Sequence, residues 1–207
     1  MCYNIGMIIL FGLAGSGKGT QGKALSEFFG WRTFSVGQVI RDTGKYEDII
    51  KNGNLIPDDD VIKLMNQQIE RAEAEGFDVI LDGYPRDEYQ AKWLMDHMSD
   101  KISGAIILEV PKEELYSRLS LRSTSEGRSD DRSKESIDHR FQIFEDNIGK
   151  IIPLLEAKNI PVRRVDGVGE VGTVTGRLIA TVKELDPAAT KQTQDVNGGE
   201  IEKSYGE

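Results

Sequence analysis

A short apolar run that ends in a glycine-rich loop is the feature that most constrains the fold of this chain. Met7–Phe11 is typical of a strand buried on both faces, and it runs directly into the sequence GLAGSGKGT, residues 12–20. This loop matches the pattern G-x-x-x-x-G-K, and Lys18–Phe29 continues with apolar residues at helical spacing. Glycines let backbone N–H groups face an anion, at which the positive end of the following helix also points. The sequence therefore predicts a phosphate-binding loop in an α/β domain.

One position of the loop departs from its common form. Gly19 follows the lysine where Ser or Thr usually stands, and Thr20 comes one place later. A loop hydroxyl is therefore not predicted to bind Mg²⁺ in the common way. Lys18 supplies a mobile positive charge for the outer phosphates of a bound nucleotide. The residues predicted to hold those phosphates are Gly15, Ser16, Gly17, Lys18, Gly19 and Thr20.

Strands and helices alternate along the rest of the chain, which indicates βαβ units and a parallel sheet. Further strands are predicted at 31–36, 78–81, 104–110 and 161–165, with helices at 88–98, 112–121, 134–157 and 171–185. The predicted fold is a P-loop three-layer α/β fold, with a five-stranded parallel sheet flanked by helices. A single domain, 1–185, has its core at 1–35, 77–122 and 133–185.

Two segments interrupt the alternation and one ends it. Residues 36–76 carry two or three helices between strands, and the polar stretch 123–132 contains almost no apolar side chain. We interpret the first as a helical insertion that binds a substrate and the second as a short lid. Residues 186–207 are polar and contain glycine, with Ala, Thr, Gln and Asn, which predicts a disordered tail.

Composition excludes several classes of protein. The net charge is −9 and the sequence pI is about 4.9, which disfavours nucleic acid as a partner. A single cysteine, Cys2, and two histidines, His97 and His139, make a zinc site implausible. The absence of an apolar run of about 18 residues predicts no membrane span. We therefore expect a cytoplasmic protein that acts on small molecules.

A second motif, LDGYPR at 81–86, stands at the carboxyl end of a predicted strand, where ligands bind in open α/β sheets. Asp82 could hold Mg²⁺ through water, and Arg86 could bind a phosphate with two hydrogen bonds. An alternative interpretation of this segment is a turn with a surface arginine and no ligand. Arg118 and Arg122 lie four residues apart on one predicted helix face, which suits a polyanion. Further candidate arginines are Arg41, Arg128 and Arg140.

Together these segments resemble the adenylate kinases. The resemblance rests on GxxGxGKGTQ at 12–21, S-x-G-x-x-x-R at 35–41, DGYPR at 82–86, R-x-x-x-R at 118–122, RSDD at 128–131 and VDG at 165–167. Their order and approximate spacing match over residues 6–185. The resemblance implies transfer of the terminal phosphoryl group of ATP to AMP, giving two ADP, with Mg²⁺ and a short lid without zinc. It also implies a monomer.

The resemblance implies a role for each matching residue. Arg118 would stack on the ATP adenine, and Asp82 would organise Mg²⁺. Asp130 and Asp131 would belong to the lid, and Gln90 would read the edge of the AMP base. The residues implied to bind AMP are Ser35, Gly37, Arg41, Gly83, Arg86 and Gln90. The implied catalytic residues are Lys18, Asp82, Arg86, Arg122, Arg128 and Arg140.

Two departures leave the acceptor base open. Val36 stands where adenylate kinases usually have Thr, and Gln38 replaces a usual Asp. A kinase for CMP, UMP or a deoxynucleotide therefore remains an alternative. A module that binds a nucleotide without catalysis is a further one, against which the intact set Lys18, Asp82, Arg86 and Arg122 argues. Phosphate-to-phosphate transfer needs no general base, which is consistent with the scarcity of histidine.

Overall fold

Five parallel strands alternate with helices in the computed structural model, which describes residues 5–46, 49, 56–126 and 133–189. The predicted α/β fold with a five-stranded parallel sheet is thus confirmed. The strands are β1 (Met7–Phe11), β2 (Arg32–Ser35), β3 (Val79–Asp82), β4 (Ile102–Glu109) and β5 (Val162–Asp166). The helices with described bounds are α1 (Lys18–Phe29), α2 (Val36–Asp42), α3 (Asp58–Glu75), α4 (Glu88–Met98), α5 (Lys112–Glu126), α6 (Lys134–Ala157) and α7 (Val171–Leu185), and a 3₁₀ turn spans Ser99–Lys101.

The strand order β2-β3-β1-β4-β5 places the phosphate loop at the centre of the sheet. β1 pairs in parallel with β3 on one side and with β4 on the other. All carboxyl ends therefore lie at one edge, where the loop after Phe11 meets Asp82, the last residue of β3. In an open sheet this edge is the expected place for a ligand, because the loops that leave neighbouring strands converge there.

Alternate residues of β1 face two separate hydrophobic cores. Met7 and Ile9 pack in one core with residues of α2, α3, α4 and α6. Ile8 and Leu10 pack in the other core with residues of α1 and α7. Every residue of β1 is buried, as a strand covered by helices on both faces requires. The result is the predicted arrangement of three layers.

The structure differs from the sequence prediction most at three places, while β3, β4 and β5 are displaced by only one or two residues. Val36 begins α2 instead of ending β2, with Ser35 at the N-cap. Helix α5 continues to Glu126, into residues predicted as lid, because no glycine or proline interrupts it before Gly127. The fold continues past the predicted end of the domain, since Ala189 is 1% exposed and Asp186 accepts hydrogen bonds from Ser103, Ala188 and Ala189.

Several predictions fall on residues outside the described ranges. These include lid residues 127–132 with Arg128, Asp130 and Asp131, part of the insertion, and the tail beyond Ala189. Of the insertion, the structure describes α2, Ile49 and α3. No described helix is long and apolar enough to cross a bilayer. The described residues also contain no cluster of three or more His, Cys, Asp or Glu side chains suited to a metal ion.

Candidate active site

One cavity of about 970 Å³ opens at the carboxyl edge of the sheet and brings most of the predicted site residues together. Its size is in the range of nucleotide-sized sites. One end is the phosphate loop, and the other contains Arg41 and Arg86. The predicted residues that line it are Gly15, Ser16, Gly17, Lys18, Gly19, Thr20, Ser35, Gly37, Arg41, Asp82, Gly83, Arg86, Arg118, Arg122 and Arg140. Gln90 is not among them, and Arg128 lies outside the described residues.

The phosphate loop turns into α1 through a left-handed glycine. Gly17 is the N-cap of α1 with φ 98°, a conformation that costs other residues energy. Because glycine has no Cβ, the loop can turn so that the first N–H groups of α1 face the cavity. Ser16 Oγ is buried and has no hydrogen-bond partner among the described residues. A buried hydroxyl of this kind is commonly satisfied by water or a ligand.

Lys18 is held inside the loop while its charge is poorly solvated. Its Nζ donates to the carbonyl oxygens of Gly12 at 2.7 Å and Leu13 at 3.0 Å. Burial lowers the pKa of Lys18 to about 8, and the charges of Arg86, Arg122 and Arg140 act in the same direction. The Asp82 carboxylate opposes this shift. The site therefore concentrates more positive charge than its own carboxylate balances, which favours a polyanionic ligand.

Arg118 lies across the phosphate loop and is anchored on two sides. Its guanidinium donates to Glu114, one turn earlier on α5, and to the carbonyl of Gly167 at 3.1 Å. A longer contact of 3.4 Å joins Nη1 to the carbonyl of Ser16. Glu114 is thus the acidic partner of this arginine. A guanidinium held in this way offers a fixed planar surface to a ring.

Two arginines meet over Gly37 at the other end of the cavity. A Cβ atom on Gly37 would lie 3.3 Å from Nη1 of Arg41 and 3.4 Å from Nη2 of Arg86, so the two guanidinium groups pack against its bare Cα. Arg86 Nε donates to the carbonyl of Gly83 at 3.0 Å. Arg41 Nη2 donates to Gln38 Oε1 at 3.1 Å. A pair of oriented guanidinium groups is suited to one phosphate.

Gln90 is buried behind the loop that carries Arg86. Its Oε1 accepts from the backbone N–H of Arg86 at 2.9 Å. Its Nε2 donates to Asp58 at 2.8 Å and to Asp87 at 3.0 Å. The residue implied to read the acceptor base thus has its amide engaged within the protein, and its role at the base stays a prediction.

Sequence reasoning missed the carboxylates that hold these groups. Glu114 could have been found, because an acid four residues before an arginine on one helix is a readable ion pair. Asp87 followed three residues later by Gln90 has the spacing of an N-terminal capping box, and Asp87 does cap α4. The contact of Asp58 with Gln90 joins residues 32 positions apart and has no local signal.

The fold and this site define a class of protein. A P-loop at the centre of a parallel sheet shares one cavity with a second cluster of arginines, and Asp82 lines the same cavity. Such a site binds two phosphate-bearing ligands at once, which is the arrangement of a P-loop kinase that acts on a nucleotide.

Comparison with known proteins identifies the family. The family model described as adenylate kinase matches residues 10–160. The chain is 31% identical over 191 residues to the adenylate kinase of Thermus thermophilus, covering 86% of this chain and 98% of the relative. It is 35% identical over 193 residues to that of Micrococcus luteus, with 87% and 92% covered, and 34% identical over 188 residues to that of Maricaulis maris, with 86% and 98% covered. The chain belongs to the adenylate kinase family.

Proposed function

We propose that this chain transfers the terminal phosphoryl group of ATP to AMP, reversibly, giving two ADP. The observation that carries the proposal is the single cavity that has a P-loop at one end and the Arg41–Arg86 pair at the other. A protein that only binds ATP has no use for a second phosphate clamp. Membership of the adenylate kinase family supports the same reaction.

The chemistry requires position and charge more than proton transfer. The second pKa of a phosphate monoester is about 6, so the AMP phosphate is already a dianion at neutral pH and needs no base. The N–H groups of the loop and Lys18 bind the ATP phosphates. Arg41 and Arg86 hold the AMP phosphate in line with them. Arg122, Arg128 and Arg140 complete the proposed set of cations around the transferred group.

We propose that ligand binding closes the insertion 36–76 and the lid 123–132 over this cavity. Closure removes water, which strengthens each charge interaction and prevents hydrolysis of ATP. Arg118, fixed by Glu114 and Gly167, provides the surface on which the ATP adenine stacks.

Mg²⁺ fits the donor set of this site. Mg²⁺ usually takes one or two carboxylates, the phosphates of its nucleotide, and waters. Asp82, 5% exposed at the edge of the cavity, would hold the ion through water, and the ion would neutralise charge on the ATP phosphates. We propose ATP–Mg²⁺ as the donor and no zinc. We also propose a cytoplasmic monomer whose partners are the two nucleotides, without nucleic acid or membrane.

The alternative acceptors depend on two departures from the family pattern. Val36 is fully buried and does not line the cavity, so its missing hydroxyl leaves the described cavity wall unchanged. Gln38 contacts Arg41, which would hold a phosphate and not a base. These contacts support AMP, while CMP, UMP or a deoxynucleotide remains the alternative.

A coupled assay across a panel of monophosphates with ATP and Mg²⁺ tests the function. We expect AMP to give the highest kcat/KM, with CMP and UMP at least about 100-fold lower, since a site that hydrogen-bonds one base edge rejects the wrong one. A higher kcat/KM for another monophosphate would show that this nucleotide, and not AMP, is the preferred acceptor. No transfer to any of them would overturn the kinase.

Gly37→Ala should weaken AMP binding selectively. The new methyl would lie 3.3 and 3.4 Å from the two guanidinium groups and push them apart. We expect the KM for AMP to rise about 10-fold, with the KM for ATP unchanged, because one displaced charged hydrogen bond costs about 1.5 kcal/mol. Gly172→Ala on α7, where a Cβ has no neighbour within 4 Å, is the matched control. An equal rise in the KM for ATP would contradict the assignment of these arginines to the acceptor.

A further inference from the structure

Both amide hydrogens of Gln90 are occupied by carboxylates. Nε2 donates to Asp58 Oδ1 at 2.8 Å and to Asp87 Oδ2 at 3.0 Å, and Oε1 accepts from the backbone of Arg86. A primary amide has only two N–H hydrogens, so none is left for a ligand. The residue is also 1% exposed. The base of the acceptor nucleotide can therefore receive a hydrogen bond from Gln90 only if one carboxylate loses the hydrogen bond that it receives from Gln90.

The two carboxylates also lie close together, because each accepts a hydrogen bond from the same nitrogen of Gln90. Asp87 caps α4 through Oδ1, which accepts from the backbone N–H of Gln90 at 2.9 Å, while Asp58 begins α3 of the insertion. Burial, followed by the hydrogen bond to Asp58, raises the pKa of Asp87 to about 6. When Asp87 is protonated, its O–H donates a hydrogen bond to Asp58, and neither carboxyl group then requires the amide of Gln90. With Asp87 ionised, both carboxylates need the amide of Gln90.

We propose that Asp58 and Asp87 are positioning residues that compete with the acceptor base for the side-chain amide of Gln90. The inference rests on the proposed function, because it takes a nucleotide as the competing ligand. When the base binds, one N–H group of Nε2 stops donating to a carboxylate and donates instead to an acceptor atom of the base. The hydrogen bond from Gln90 to Asp58 joins α3 to α4, so an exchange at Asp58 also releases α3 to move when the insertion closes over the cavity.

The groups around Asp87 leave Asp58 as its direct partner. Burial raises the pKa of Tyr84, which keeps that phenol neutral through the physiological range, and its OH has no hydrogen-bond partner among the described residues. Asp59 accepts from Tyr89 at 3.1 Å, and no hydrogen bond described joins it to Gln90. The titratable or charged groups in the first turns of α3 and α4 and in the loop before α4 are Asp58, Asp59 and Asp60, then Tyr84 and Arg86, and then Glu88 and Tyr89.

Asp87→Asn is the test, because asparagine resembles the protonated acid and still caps a helix. Its amide nitrogen donates to Asp58 at every pH and no longer accepts from Nε2 of Gln90, while its amide oxygen keeps the cap. We expect the KM for AMP of the variant, divided by that of the wild type, to be close to one at about pH 5 and to fall to about one-fifth at about pH 8, as loss of one competing hydrogen bond requires. The ratio cancels the titration of the AMP phosphate itself. The kcat should change less than about twofold.

Asp59→Asn is the matched control, since it also replaces one aspartate by asparagine, at the position next to Asp58 on α3. Its KM ratio should stay at one throughout. A ratio for Asp87→Asn that does not vary with pH, or a KM that rises at about pH 8, would overturn the proposal.

A second readout does not depend on turnover. In the ligand-free protein, the side-chain NH₂ resonances of Gln90, assigned by their loss in Gln90→Leu, should titrate with a midpoint near pH 6 and stop doing so in Asp87→Asn. Absence of this titration in the wild type would overturn the proposal even in an active enzyme. A clear titration in a protein that does not turn over AMP would instead overturn the proposed function alone.

Discussion

Arg86→Ala should lower kcat by about 1,000-fold and leave the affinity for ATP within about threefold, as expected for a cation that acts on the transferred group. Arg86 lines the cavity, packs against Gly37 beside Arg41, and is oriented by the carbonyl of Gly83. Its removal takes away the group that aligns the acceptor phosphate, while the phosphate loop is untouched. Steady-state kinetics with both substrates, together with direct titration of ATP, measure the two quantities.

Two further variants give the prediction its controls. Arg86→Lys keeps the charge but loses the planar pair of donors, so it should recover only a small part of the lost activity. Arg163→Ala removes an exposed arginine from β5, which lies outside the cavity, and should behave as the wild type. Loss of ATP affinity in Arg86→Ala, in parallel with loss of kcat, would assign this arginine to the donor instead.

Lys18→Met should abolish almost all turnover, with kcat/KM for ATP reduced about 1,000-fold. The lysine is the only cation within the phosphate loop itself, and its Nζ already lies at the carbonyls of Gly12 and Leu13. Methionine has a similar length and fills the same space without a charge. Lys18 also contributes to the affinity for ATP, so the thermal stabilisation that ATP gives should be smaller in the variant than in the wild type. Stabilisation by ATP equal to that of the wild type would contradict the role of Lys18.

The same variant tests the electrostatics of the empty site. Because burial lowers the pKa of Lys18 to about 8 from 10.5, the unfolded chain binds more protons than the folded one between these values. The stability of the ligand-free wild type should therefore rise relative to Lys18→Met as the pH increases from about 8 to about 10.5, by about 3 kcal/mol. Denaturant unfolding of both proteins at several pH values measures this difference. A constant difference would mean that the ammonium is not desolvated.

The phosphate loop and the sheet could be predicted from the sequence because their signals are local. The strand, the glycines at 12, 15 and 17 and the helix from Lys18 are contiguous, and each expresses the backbone preference of its own residues. The position of Asp82 was also accessible, since a polar residue that ends a buried strand lies at the ligand edge. Element ends were less certain: α5 runs to Glu126, and Ala189 packs on the core.

By itself, the sequence determined the fold class, the donor loop and the residue types of a two-nucleotide site. Only the tertiary structure decided which of those residues face the cavity and which are engaged elsewhere. Gln90 is buried between Asp58 and Asp87, and Arg118 is tied to Glu114 and Gly167. The reason is physical: local preferences act through a few neighbouring residues, whereas Gln90 and Asp58 meet only after α3 and α4 have packed against each other. Hydrogen bonds between side chains that are distant in the sequence depend on that packing, so they could not be predicted from spacing along the chain, unlike the pair of Glu114 and Arg118 on one helix turn.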